Sequence, residues 1–133
     1  MSGEKISEEV NDKKIDILER CIKYSLDVIE LCNHLEKSSA GKIMGRQLLR
    51  SGPSVGANIH EAQGGQSKAD FIAKVSIAYK EARESAYWLR IIHDAKLDPN
   101  TKLVENLREE TEQLVRILSS ILLTAKQNVK RAL

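Results

Sequence analysis

Long hydrophobic runs are missing from this chain. No window approaches the roughly 18 consecutive apolar residues of a membrane-spanning helix. Aromatics make up only 4% of the residues, with a single Trp and a single Phe, and prolines number two. With 30% charged residues, this is the balance of a helical bundle whose core is Leu, Ile, Val and Ala. The opening stretch, MSGEKISEEVNDKK, lacks the apolar segment of a signal peptide, so the expected compartment is cytoplasmic. A chain of 133 residues is long enough for one domain with its own core.

The signatures of common enzymes are missing as well. There is no P-loop, dinucleotide fingerprint, H-E-x-x-H or G-x-S-x-G. His34, His60 and His93 fall on three separate predicted helices without acidic partners at metal-site spacing. Carboxylate-bridged metal sites in helical bundles need Glu-x-x-His pairs, and none occurs here. Cys21 and Cys32 share a helix face about 16 Å apart along the axis, too far to bridge, and read as small buried hydrophobes. The expectation is a protein that is not an enzyme, with no catalytic residues, metal, cofactor or small-molecule substrate.

What is present is periodicity. The most informative stretch is Gly45 to Gly65, GRQLLRSGPSVGANIHEAQGG. Advanced at about 100° per residue, Met44, Leu48, Gly52, Val55, Ile59 and Ala62 fall on one side. The apolar phase is the same before and after Pro53, which predicts one helix kinked there rather than two elements. Ser38 and Ser39 offer its N-cap, and Gly64-Gly65 its stop.

The first helix is expected from Lys13 to Glu36, after a flexible tail over residues 1–12. Leu18, Cys21, Ser25, Val28, Cys32 and Leu35 form its seam. Ile15, Ile22, Leu26 and Ile29 flank the seam on one side; Ile17, Tyr24 and Leu31 flank it on the other. So wide an apolar arc has two surfaces to bury, which suggests another subunit, with Ile17, Tyr24 and Leu31 expected at the interface together with Ile77, Trp88 and Ile91 of the third helix. The third helix begins with Ser67 and Asp70 at capping-box spacing, and its seam is Phe71, Val75, Ala78, Ala82, Ser85, Leu89 and Ile92. Ile77, Trp88 and Ile91 lie outside that seam beside Glu81 and Glu84. Trp88 either anchors an interface or covers the bundle's end. Asp98-Pro99 reads as cap and N1 of a fourth helix with the seam Val104, Leu107, Thr111, Leu114, Leu118, Ile121 and Ala125. Short connections then give an antiparallel up-down-up-down four-helix bundle, all-α, over residues 13–133.

The net charge of +2 is unevenly spread. Residues 1–36 carry 5 basic and 9 acidic side chains; residues 37–97 carry 10 and 5; the remainder carries 6 and 5. Lys42, Arg46 and Arg50 repeat every four residues along the second helix, with Lys68, Lys74, Lys80, Arg83 and Arg90 on the third. Such a strip suits phosphates, although it lacks the interleaved aromatics that stack on single-stranded bases. Gln47, Arg50, Ser54, Asn58 and Glu61 make a polar ridge on the second helix. It is either a solvated face or an interhelical network in which Asn58 and Glu61 meet Arg50 or Lys80.

The run R-Q-L-L-R-S-G-P-S-V-G-A-N-I-H-E-A (Arg46 to Ala62) and the later F-I-x-K-x-x-I-A-x-K-E-A-R-E-S-x-Y-W-L-R (Phe71 to Arg90) together resemble a bacterial family. Its members are four-helix-bundle proteins encoded in intervening sequences of 23S ribosomal RNA genes. The resemblance covers roughly residues 13–126. It implies an antiparallel bundle that assembles as a homopentamer. It also implies kinship with the accessory proteins of diversity-generating retroelements, which bind a reverse transcriptase and RNA. By matching position, Arg46, Arg50, Ser51, Asn58, Glu61, Glu81, Glu84 and Trp88 are the motif residues. This chain departs from many relatives in having Pro53 where they carry Thr or Val, which implies a sharper kink. The functional expectation is a homo-oligomer that binds or scaffolds RNA, DNA or a ribonucleoprotein; the alternative is a protein-binding adaptor working through Trp88.

Overall fold

The computed structural model describes residues 2–132 in their backbone and residues 17–132 with their side chains. Four helices follow one another: α1 (Ser2–Leu35), α2 (Ser39–Gln63), α3 (Lys68–Asp94) and α4 (Thr101–Ala132). None of them is long and apolar enough to cross a membrane. α1 begins at Ser2 rather than at the expected Lys13. Between Glu4 and Lys14 the sequence has neither Gly nor Pro, so nothing local interrupts the helix. The side chains of residues 1–16, Ile15 included, lie outside the described residues.

The helix ends follow local chemistry. Ser38 Oγ accepts the Gly41 N–H at 3.0 Å to open α2, and Ser67 Oγ accepts the Asp70 N–H at 3.1 Å to open α3. α2 runs uninterrupted through Pro53 and ends at Gln63, capped by Gly64, whose N–H bonds back to Glu61. α3 closes with Lys96 at φ 54, while the Leu97 N–H reaches the Ile92 carbonyl at 3.1 Å.

The start of α4 corrects one expectation. Pro99 is not its first helical residue; the helix starts at Thr101, and Asn100 Oδ1 accepts the Leu103 N–H at 3.4 Å as the cap. Asp98 is occupied elsewhere. Its Oδ1 accepts the Asn100 N–H at 3.0 Å, and its Oδ2 lies 3.2 Å from His34 Nδ1. The buried Asp98 thereby fastens the α3–α4 connection to the end of α1.

Neighbouring helices pack in chain order, with α1 closing against α4 more lightly than the other pairs. Along the α1–α2 seam Leu35 meets Gly45, Val28 meets Gly52, and Cys21 meets Gly56. Residue numbers rise in one helix as they fall in the other, so the two run in opposite directions. Small residues in α2 permit this close approach: a Cβ at Gly52 would lie 3.1 Å from Val28 Cγ2, and one at Gly56 only 2.8 Å from Cys21 Cβ.

The core is aliphatic, from Val28, Leu31, Leu35, Leu48, Val55, Val75, Leu89, Ile92, Leu107, Leu114 and Leu118. At mid-height it contains a hydroxyl layer with one residue from each helix: Tyr24, Ser51, Ser85 and Thr111, all buried. Tyr24 Oη lies 2.7 Å from Thr111 Oγ1, and Ser51 Oγ lies 2.8 Å from Ser85 Oγ. Ser85 donates to the Glu81 carbonyl at 2.9 Å, so Ser51 is the donor to Ser85. Thr111 donates to the Leu107 carbonyl at 2.6 Å, so Tyr24 is the donor to Thr111. Each pair forms only when its two helices are in register, α1 with α4 and α2 with α3, which disfavours slipped packings.

Candidate functional site

The apolar flanks of α1 separate cleanly in the folded chain. Ile17, Tyr24 and Leu31, expected at an interface, are buried in the chain's own core. The physical reason is the direction from which α2 and α4 approach. Tyr24 meets Thr111 of α4, and Arg20 on the same side pairs with Glu110, so that flank faces inward. The opposite flank stays in solvent: Ile22, Leu26 and Ile29 are exposed, Leu26 to 61%. Beside it runs a groove lined by Leu18, Ile22, Leu26, Pro53, Ala57 and His60. Its floor is mostly carbon, and Leu49, one turn before Pro53 on α2, is also exposed.

On α3, Ile77 is exposed, Trp88 is half-buried against the core and Ile91 is half-buried. The indole N–H of Trp88 donates to Glu84 Oε2 at 3.2 Å, within its own helix. The exposed aromatic here is Tyr87, edge-on to Trp88 with centroids 5.1 Å apart. Sequence reasoning passed over Tyr87 because it follows no seam.

The polar ridge forms an α2–α3 network with different partners from those anticipated. Arg50 bonds Glu84 and lies 3.5 Å from Glu81 Oε2. Glu61 pairs with Lys74 at 2.7 Å, not with Arg50 or Lys80. That lysine holds the Glu61 carboxyl below its ordinary value, first through the hydrogen bond and then through its charge. Asn58 turns back on α2 and donates to the Ser54 carbonyl at 2.8 Å. Ser51 belongs to the hydroxyl layer instead. Glu81 Oε2 is buried and, among the described residues, accepts no hydrogen bond, with the Arg50 guanidinium 3.5 Å away.

This pairing thins the expected phosphate strip. Arg50 and Lys74 are engaged with carboxylates, and Arg83 lies over the Tyr79 ring at 5.8 Å. Lys42, Arg46 and Lys80 are exposed. The structure also brings together cations that sequence reading did not connect. Arg108 and Arg116 of α4 stand across a groove from Arg83 and Arg90 of α3. Helical spacing alone could have paired residues within each helix, but not across the two.

Among the described residues no group of three or more His, Cys, Asp or Glu side chains could hold a metal ion. The two thiols are raised to about 11, chiefly by burial.

Comparison with known proteins adds a lineage. The sequence profile described as "23S rRNA-intervening sequence protein" matches residues 13–120. A solved structure from Bacteroides thetaiotaomicron, described as a protein with unknown function from the S23 ribosomal protein family, superposes with a TM-score of 0.73. It shares 33% sequence identity, and the match covers 80% of this chain and 97% of that one. None of the curated proteins matches significantly.

Proposed function

The chain belongs to the 23S rRNA-intervening sequence protein family, and from that premise we propose a non-enzymatic, homo-oligomeric bundle that binds or scaffolds nucleic acid or a ribonucleoprotein. The observation that carries the oligomer is the exposed α1 flank. Ile22, Leu26 and Ile29 lie one turn apart beside an apolar groove, and a lone bundle would leave all of it in water. Burying about 500 Å² of such surface at each contact would contribute on the order of 10 kcal/mol before the cost of association. A ring of five copies, as the family resemblance implies, uses such a face together with a second one on the neighbouring subunit. The exposed Lys42 and Arg46 at the far end of α2 support contact with phosphates.

Native mass by light scattering, alone and then with structured RNA at low and high salt, tests both parts. A pentamer that gains mass with RNA and loses it at high salt supports the proposal. A pentamer indifferent to RNA removes the nucleic-acid role, and a monomer removes the oligomer.

A second reading is a protein-binding adaptor on the Trp88 side of α3. Exposed Tyr87, with Ile91 beside it over a mostly apolar depression, favours it. Capture of such a partner would be insensitive to salt, whereas phosphate binding weakens steeply as salt rises.

A further inference from the structure

A further concentration of positive charge lies between α3 and α4. Arg83, Ala86 and Arg90 recur at three- and four-residue steps on α3, and Arg108, Glu112 and Arg116 recur every four on α4. Folding sets these rows side by side: one depression is lined by Ala86, Arg90, Asp94, Arg108 and Glu112, and the next by Arg83, Ala86, Glu112, Val115 and Arg116. The result is one continuous groove with Ala86 on its floor and four guanidinium groups on its rims.

Six ionisable groups face it, four positive and two negative. Asp94 is already engaged, lying 3.5 Å from Arg90 Nε and 2.9 Å from His93 Nδ1; His93 first, then Arg90, hold its carboxyl below the ordinary value. Glu112 is exposed; among the described residues it has no cationic partner within ion-pair distance, and Arg108 and Arg116 have no anionic one. Arg83 rests on the Tyr79 ring, which orients its guanidinium without neutralising it.

From this geometry we propose that the α3–α4 groove binds the phosphodiester backbone of double-helical nucleic acid. The assignment rests on the nucleic-acid reading above and relocates its main contact from α2 to α3 and α4. Seven residues separate Arg83 from Arg90 and eight separate Arg108 from Arg116, which is about 10–12 Å along each axis. Packed helices lie about 8–10 Å apart. Four cations on so wide a rectangle address several phosphates, beyond the reach of any single small anion. Guanidinium forks suit phosphate oxygens bidentately. A floor of Ala86 offers nothing to read a base edge, so recognition is of backbone and shape. The groove lies between α3 and α4, opposite the apolar face between α1 and α2. The apolar flank of α1 can thus be covered without covering the groove.

Affinity for a short RNA duplex, a DNA duplex and sequence-scrambled versions of each, measured across a salt series, provides the test. The Arg108→Gln/Arg116→Gln variant should bind on the order of tenfold more weakly near 0.15 M salt, with the slope of log affinity against log salt reduced by about two. Glu112→Gln should bind several-fold more tightly, a gain that misfolding could not mimic. Scrambling the sequence should change little. Circular dichroism and native mass should match wild type for every variant. Wild-type-like affinity in the double variant, or no gain in Glu112→Gln, overturns the groove. If Arg46→Glu abolishes binding while the groove variants keep it, the nucleic-acid role stands and only its location falls. If wild type binds no duplex at all, both fall together.

Discussion

Cys21 Cβ occupies the space that a side chain at position 56 would need: a Cβ built on Gly56 would stand 2.8 Å from it. This contact sets how closely α1 and α2 approach. At Gly52 the neighbours are instead the two Val28 methyl groups, at 3.1 and 3.3 Å.

Two alanine substitutions should therefore respond differently to rescue. Gly56→Ala gains about 1 kcal/mol of helix propensity but meets an overpacking cost of about 1–3 kcal/mol. Net destabilisation is expected in urea unfolding. Cys21→Ala retains the offending Cβ and should not relieve it. Gly52→Ala should be largely relieved by Val28→Ala, which removes the methyls themselves. Rescue of Gly56→Ala by Cys21→Ala would contradict this geometry.

The hydroxyl layer predicts coupling between α1 and α4. Tyr24 donates to Thr111, whose own proton goes to Leu107. Thr111→Val removes that acceptor and should cost about 1–2 kcal/mol, and Tyr24→Phe about 0.5–1.5 kcal/mol. The double variant should cost less than the sum, since no orphaned group remains. Strict additivity in a double-mutant cycle would show that the pair is not energetically joined.

Alkaline pH should erode the stability of this core. Burial raises the Cys21 and Cys32 thiols to about 11 from the ordinary 9.0, and Tyr24 to about 12 from 10.0; the Glu110 charge adds to the Cys21 shift. Above pH 9 the unfolded chain releases these protons while the folded chain keeps them. The folded state then binds more protons, so stability falls as pH rises from about 9 through 11 or 12. The loss is on the order of 2 kcal/mol per thiol. Urea midpoints at pH 8, 9.5 and 11 would display it, and Cys21→Ala/Cys32→Ala should flatten the decline between about pH 9 and 11.

Arg50 and Arg46 look equivalent in sequence but should not behave alike. Arg50 faces Glu84 and the buried Glu81 oxygen, whereas Arg46 stands in solvent. Arg50→Ala should cost about 1 kcal/mol, and Arg46→Ala under about 0.5. Thermal unfolding of the two variants side by side would decide it.

Leu26→Glu should leave the fold nearly unchanged, because that side chain is already 61% exposed. It should nevertheless lower the native mass if the α1 flank joins copies of the chain. Unaltered mass together with unaltered helicity would move the interface elsewhere.

The sequence by itself determined the four helices, because caps, periodicity and stop residues act over a few positions. Ser38, Ser67 and Gly64 mark ends as expected, and Leu48, Gly52, Val55 and Ile59 keep one buried phase across Pro53. Tertiary structure decided what each helix faces. It buried Tyr24 and Leu31 and left Leu26 in water, although the two flanks of α1 are equally apolar. It gave Arg50 to Glu84, Lys74 to Glu61, and Arg108 and Arg116 to the groove opposite Arg83 and Arg90. Those choices depend on how each helix is rotated against its neighbours. That rotation is set by the close approach at Gly52 and Gly56 and by the hydroxyl layer, contacts between residues far apart in the chain that no local pattern encodes.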